Sequence, residues 1–322
     1  MKLVEHTIMI RGRAASHHQL RPEAAGQVLA ALAPAVRGSS EVAFRGLAGL
    51  RGRRPAWLKK ANDIGLVGID FHGKDEATLH ITAPRYQDIK ESPYNDPQLS
   101  IFKDEIKRLP SPSDTALDSF ADVLKDISEL QETSDRFDST LLKRVRKFRA
   151  AMKSGVDELE LSGDRIVSEQ SMINCRIVET AERWHDSTPE PRKVRICGNL
   201  HMIEFSRQVF SVDLHDGSKI RGIWLGDSIE PLRMLGGTDV AFSGTAVFRP
   251  TGSVLRVETD RVEAATDADS FFSEMPKASL PRTRIDQEVA TQRGRGGIAA
   301  VFGKWPGDES QEELERLLRE VG

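Results

Sequence analysis

Five extended runs between Pro191 and Glu263 constrain the fold of this chain more than any other feature of its sequence. Asp216–Gly217 predicts a hairpin turn between the second and third runs, and Arg249–Gly252 predicts another between the fourth and fifth. Between the third and fourth runs, Ser228–Leu235 is long enough for one or two helical turns. This is the element order of a five-stranded OB barrel, although an SH3-like barrel or a plain meander gives a similar pattern. The predicted strands are Val194–Ile203, Gln208–Leu214, Lys219–Leu225, Val240–Phe248 and Val254–Val262.

The first 83 residues predict a small α/β unit. A proline often stands in the first helical turn, so Pro22 is expected to begin an Ala- and Leu-rich helix that continues to about Val36. Gly38–Ser40 is expected to end this helix. Short apolar runs predict strands at Thr7–Ile10, Glu41–Phe44, Leu66–Phe71 and Thr78–Thr82.

A pair of helices is expected after an irregular connector. Apolar residues recur at three-and-four spacing from Ala116 to Leu130, with Asp114 as the expected N-cap. Ser134 or Asp138 is expected to begin the second helix. The predicted fold class is therefore α+β: a basic α/β unit at 1–83, a connector and helical pair at 84–160, an OB-like β-barrel at 190–264, and a linker and tail with a short helix at 265–322.

Positive charge is concentrated near the N-terminus. The chain has 46 Lys and Arg against 49 Asp and Glu, yet residues 1–60 hold 11 basic and three acidic side chains. A basic block of this kind, together with the Trp57 ring on which a base could stack, favours a nucleic-acid-binding surface. The alternative is that these charges solvate the fold and pair with its acidic part. The candidate nucleic-acid-binding residues are Arg51, Arg53, Arg54, Trp57, Lys143, Arg144 and Lys147.

Motifs for catalysis are weak. The sequence lacks a G-x-S-x-G elbow and a phosphate-binding loop, so no catalytic residue and no cofactor is predicted, and a non-catalytic protein is favoured. Asp70, His72 and His80 could hold a divalent ion, but solvated turn chemistry is the more common role of such a set, and no metal is predicted. Two cysteines and a charged N-terminus favour a cytoplasmic protein without membrane contact.

The segment from Phe302 to Leu318 has the most specific pattern. An aromatic pair, Phe302 and Trp305, precedes a Pro-Gly turn and then an acidic helix with a leucine stripe. Such a peptide can dock its anchors into a partner groove, or pack back on its own body. The candidate partner-binding residues are Phe302, Trp305, Asp308, Leu314, Leu317 and Leu318.

The pattern W-P-G-D-E-[ST]-x-E-E-[LI] resembles the ends of small bacterial antitoxins that pair with PIN-type ribonuclease toxins. More broadly, the chain resembles an uncharacterised bacterial protein family. The motifs that carry this second resemblance are F-R-x-L near Phe44, R-R-P-x-W-L at Arg53–Leu58, A-P-R near Ala83, S-D-R-F-D at Ser134–Asp138, D-G-x-x-[IV]-R-G at Asp216–Gly222 and A-V-[FY]-R-P-[ST]-G at Ala246–Gly252.

The first resemblance implies a binding protein of antitoxin or immunity type. Its protein partner would be a toxin, a PIN-type ribonuclease, neutralised by the C-terminal tail. The alternative is a protein that binds DNA or RNA through the basic N-terminal block and the barrel, and the two functions can coexist.

Overall fold

Strands with alternating apolar residues form the first sheet of the computed structural model, which describes residues 2–49, 55–72, 74–95, 109–167, 170–205 and 207–278. On β1, Val4, His6, Ile8 and Ile10 are buried, while the residues between them are exposed or half-buried. The strand order is β2-β3-β1-β4-β5, and every neighbouring pair is antiparallel. The strands are β1 (Leu3–Arg11), β2 (Gly65–His72), β3 (Glu76–Pro84), β4 (Glu158–Ser162) and β5 (Met172–Asn174).

Helices cover one face of this sheet and share a core with it. The core contains Ile10 from β1 together with Phe120, Phe148 and Trp184 from the helical part of the chain, all at most 1% exposed. Residues 1–83 and the helical region therefore bury their apolar faces against each other, and we call this part the body. Its helices are α1 (Pro22–Arg45), α2 (Ala56–Ala61), α3 (Ala116–Ser128), α4 (Ser139–Val145), α5 (Arg149–Lys153) and α6 (Cys175–Ser187).

The first helix is longer than its sequence predicts. α1 runs on to Arg45, so the predicted end at Gly38–Ser40 and the predicted strand at Glu41–Phe44 are wrong. The hydroxyls of Ser39 and Ser40 donate to carbonyls of the preceding turn at 3.0 Å, so their hydrogen bonds are made within the helix. The helix ends instead at Gly46, whose φ of 76° is left-handed and suits glycine.

The two predicted helix N-caps have different outcomes. Thr115, rather than the predicted Asp114, is the N-cap of α3, because its hydroxyl accepts from the Leu117 and Asp118 amides. Asp138 is the N-cap of α4, as one of the two alternatives expected. β4, β5 and α6 complete the sheet and its helical cover, and none of these three elements was predicted from the sequence.

The second sheet closes into the predicted five-stranded barrel. Strand neighbours follow the order β6-β7-β8-β10-β9, with β9 returning to β6 and β8 parallel to β10. Closure excludes the plain meander, and a closed five-stranded barrel with a short helix after the third strand is consistent with an OB-like fold. The elements are β6 (Arg192–Glu204), β7 (Val209–Asp213), β8 (Lys219–Trp224), α7 (Glu230–Met234), β9 (Asp239–Phe248) and β10 (Val254–Ala264).

Aromatic side chains fill the barrel. Phe210 and Phe242 meet edge to face with ring centroids 5.5 Å apart, and both are at most 1% exposed. Gly222 allows this packing, since a Cβ there would lie 2.1 Å from the Phe210 ring. The barrel is thus a packed core, so any ligand would contact its outside. In the described part of the chain, no helix is both long and apolar enough to cross a membrane.

One histidine of the body is buried and gives an expected pH dependence. His6 Nε2 lies 3.1 Å from the Thr115 hydroxyl, and the side chain is 2% exposed. Burial lowers the pKa of His6, and Asp118 and Asp164 only partly offset this. Below a pH of about 6.5 the unfolded chain takes up a proton that the folded chain resists, so stability is lost as the pH falls through that value.

We therefore expect His6→Gln to make stability less dependent on pH between neutral and mildly acidic conditions. Denaturant unfolding at about pH 7 and about pH 5.5 measures the effect, with the exposed His201→Gln as the matched control. Equal pH dependence in the wild type and in His6→Gln would contradict a neutral buried His6.

Candidate functional site

The outer face of β7 and β8 is where OB folds bind oligonucleotides and oligosaccharides, together with the β6–β7 and β9–β10 loops. Here Val209 and Ile223 lie on that face, and each is 2% exposed. They pack against Leu47, which follows α1 in the body. The body therefore covers part of the surface that other barrels of this kind leave open for ligands.

The β6–β7 loop is fixed to the end of α1. Arg207 Nε donates to the Phe44 carbonyl at 3.1 Å, and its Nη2 donates to the Ala43 carbonyl at 3.0 Å. Its Nη1 lies 3.3 Å from Glu204 Oε2, and both side chains are almost fully buried. The guanidinium thus binds carbonyls in the last turn of α1, a place that suits positive charge.

An ion pair connects β10 to the start of α4. Arg256 Nη2 lies 3.0 Å from Asp138 Oδ2, and the two side chains are 5% and 3% exposed. The same carboxylate accepts the Ala48 amide at 3.0 Å and caps α4 through the Leu141 amide at 2.9 Å. Arg256 also pairs with Glu258.

The β9–β10 loop contacts the body as well. Arg249 pairs with Asp135, which lies between α3 and α4. Both loops that would reach a ligand in other OB folds are therefore engaged by the body, and the whole contact lies within one compact unit, Met1–Ser279.

A cavity of about 410 Å³ remains between the two parts. The barrel contributes Arg207 and Arg221 to its wall, and the body contributes Ser39, Ser119 and Asp122. Burial lowers the pKa of Arg221, and the charge of Arg207 lowers it further. The barrel side of this cavity is therefore positively charged, and the body side combines hydroxyl and carboxylate oxygens with the guanidiniums of Arg136 and Arg165.

A second, smaller cavity of about 180 Å³ shares Asp114, Asp122 and Arg165 with the first. Asp114 Oδ2 accepts the Ser111 amide at 2.8 Å, and Arg165 Nε lies 3.0 Å from its Oδ1. Burial is the main cause that raises the pKa of Asp114. The body side of the cavities therefore presents the carboxylates of Asp114 and Asp122 together with the Arg165 guanidinium.

The predicted nucleic-acid residues lie in different surroundings. Arg51, Arg53 and Arg54 lie outside the described residues. Trp57, on α2, is half-buried and meets the Phe44 ring edge to face at 4.9 Å. Its ring thus has a packing role, as part of a small aromatic cluster with Phe44 and Tyr86.

The basic stretch 143–149 is partly neutralised. Lys143 and Lys147 are exposed, whereas Arg144 Nη1 donates to the Pro34 carbonyl at 3.0 Å and lies 3.6 Å from buried Glu41. Arg146 and Arg149 both pair with Glu182 on α6. Among the contacts of the described residues, none joins this stretch to Trp57, and nucleic-acid binding stays a prediction.

Of the three hairpin residues considered as metal ligands, Asp70 and His80 belong to a hydrogen-bonded cluster whose third member is Glu5 and not His72. His80 Nδ1 lies 2.6 Å from Glu5 Oε1, and its Nε2 lies 3.0 Å from Asp70 Oδ2. Glu5 and then Asp70 raise the pKa of His80. His72 pairs instead with Glu76 in the strand register. Over the described ranges, no three His, Cys, Asp or Glu side chains are grouped to hold a metal ion.

The predicted partner-binding residues all lie outside the described residues: Phe302, Trp305, Asp308, Leu314, Leu317 and Leu318. Their role stays a prediction.

Compared with protein-family models, with curated proteins and with solved structures, the chain matches none. Its site is therefore defined by the geometry above. Arg207, Arg221 and Asp138 belong to this site, and none of them was among the predicted site residues. An isolated arginine in a barrel loop or on a barrel strand carries no sequence signal, although Asp138 was already one of the two expected caps.

Proposed function

We propose that this chain is a non-catalytic binding protein of antitoxin or immunity type, which neutralises a PIN-type ribonuclease through its C-terminal tail. The observation that carries the proposal is the tail pattern from Phe302 to Leu314, where an aromatic pair, a Pro-Gly turn and an acidic amphipathic segment follow one another. Aromatic side chains are frequent anchors of protein interfaces, and an amphipathic helix is a common ligand of apolar grooves.

The polar groups of the body and the barrel support this proposal, because several of them are engaged in contacts within the protein. The β6–β7 and β9–β10 loops hold the barrel on the body, through Arg207 and Arg249. Asp138 and His6 are likewise engaged in internal contacts. A scaffold with these surfaces committed to its own packing suits a protein that presents a separate binding segment.

Charge complementarity supports a nuclease as the partner. Asp308, Glu309, Glu312 and Glu313 give the tail an acidic surface. A ribonuclease presents a basic surface to its substrate, and an acidic segment can compete for it. Binding there would block access of RNA without any catalysis by this chain.

Replacing Trp305 by alanine together with Leu317 by aspartate in the full-length chain is expected to weaken partner capture by about tenfold or more, as loss of an interface hot spot does. Tagged proteins are incubated with nuclease-treated lysate of the source organism, and the bound protein is quantified by mass spectrometry. The captured protein is then assayed for ribonuclease activity with and without the wild-type chain.

Phe271→Ala is the matched control, because Phe271 is an aromatic residue after the last barrel strand, outside the Phe302–Leu318 segment, that is 86% exposed. It should capture as much partner as the wild type. Equal capture by the tail variant would exclude the tail as the binding segment. A captured protein whose ribonuclease activity is unaffected would exclude toxin neutralisation.

A further inference from the structure

The cavity between the barrel and the body has the size of a small-molecule site. Its volume of about 410 Å³ is within the range of ligand pockets, about 300–1,000 Å³. Two arginines, Arg207 and Arg221, line one side, so the cavity is polar and suits a charged ligand rather than an apolar one.

Arg221 has no side-chain partner among the described parts of the chain. It lines the cavity, is only partly exposed, and makes no hydrogen bond or ion pair with the residues that the structure describes. Asp135 and Glu204 are the acidic groups that act on it at longer range, and they already pair with Arg249 and Arg207. A half-buried guanidinium with no partner is costly, and an anion in the cavity would remove that cost.

Arg207 adds to the same side. Its guanidinium is fixed by the two α1 carbonyls and by Glu204, so its charge and position do not depend on a ligand. Prepositioned arginines are well suited to phosphate and carboxylate groups, which accept two parallel N–H bonds.

The body side of the cavity combines acceptors and donors. Ser39, Ser119 and Asp122 lie there together with Arg136 and Arg165. The Ser119 hydroxyl lies 2.8 Å from the Tyr86 hydroxyl, and the Asp122 carboxylate lies 3.8 Å from Arg136. Hydroxyl groups of a ligand could donate to the remaining lone pairs of these oxygens.

We propose that this cavity binds a small oxyanion that carries hydroxyl groups, with the phosphate or carboxylate on Arg221 and Arg207 and the hydroxyls toward Ser119 and Asp122. This site is independent of the tail, and it makes the junction of barrel and body a binding site in addition to a packing interface.

The test is calorimetric titration of the full-length protein with four probes: ribose 5-phosphate, gluconate, inorganic phosphate and ribose. We expect saturable binding of ribose 5-phosphate or gluconate, weaker binding of inorganic phosphate and none of ribose. The two stronger probes distinguish a phosphate from a carboxylate ligand.

Arg221→Gln is expected to weaken this binding by about tenfold or more, the effect of losing charge-assisted hydrogen bonds. Because Arg221 has no partner among the described residues, the same change should leave the Tm without ligand unchanged or raise it. Arg233→Gln is the matched control, an arginine on α7 that is 67% exposed and pairs with Glu230 in its own helix.

Two results would overturn the proposal. One is the absence of saturable binding of any probe up to about 10 mM. The other is binding that Arg221→Gln leaves unchanged, which would place the ligand elsewhere.

Discussion

Asp138→Ala is expected to lower the free energy of unfolding by about 3–5 kcal/mol, the effect of breaking a buried ion pair. The change removes the 3.0 Å carboxylate partner of Arg256, which is 5% exposed and keeps only its contact with Glu258 among the described residues. It also removes the side-chain cap of α4 and the acceptor of the Ala48 amide. Denaturant unfolding measures the loss, which far exceeds the usual effect of a surface substitution.

A second variant separates charge from capping. Asp138→Asn keeps an oxygen for the Leu141 amide and loses only the charge, so it should cost less than alanine. Arg256→Met removes the cation, and the double variant with Asp138→Asn should cost less than the two single changes added together. Strict additivity would mean that the pair does not join the barrel to the body energetically.

Arg207→Ala is expected to destabilise the protein by about 3–5 kcal/mol as well, with the effect concentrated at the junction of barrel and body. It removes the donors of the Phe44 and Ala43 carbonyls and leaves Glu204, 2% exposed, without this cation. Hydrogen exchange should therefore show faster opening around the end of α1 and in β7 than in the centre of the body sheet.

Arg207→Lys tests the geometry of this contact. A lysine keeps the charge but lacks the planar fork that donates to two carbonyls and a carboxylate, so most of the loss should remain. The exposed Arg233→Ala is the control and should change stability by less than about 0.5 kcal/mol. Uniform protection in Arg207→Ala would show that Arg207 does not fix the barrel on the body.

The barrel was predictable because its signals are local. Each strand alternates within its own run, and turns such as Asp216–Gly217 mark where the chain reverses. The end of α1 was not predictable, because Gly38–Ser40 taken by itself is a pattern that usually ends a helix. Back-bonding by the serines and burial of Val42 and Phe44 in the body outweigh that local preference.

The candidate site was beyond the reach of sequence patterns. Arg207 and its carbonyl partner Phe44 are 163 residues apart, and Arg256 and Asp138 are 118 apart. No spacing rule connects such positions, because their proximity follows from how the barrel docks on the body. Arg144 is the opposite case. The basic pattern around it predicted a residue on an open surface, whereas in the structure it packs against Pro34 and Glu41.

By itself, the sequence determined the α+β class and the strands and short helix of the barrel, and it offered Asp138 as one of two caps, because these depend on hydrophobic periodicity and turn chemistry over a few residues. Only the tertiary structure decided that the barrel closes, that its OB-type ligand face lies against the body, and that Arg207 and Arg221 line one cavity. Closure and docking depend on burial and charge pairing between distant segments, and those energies exist only once the chain is folded.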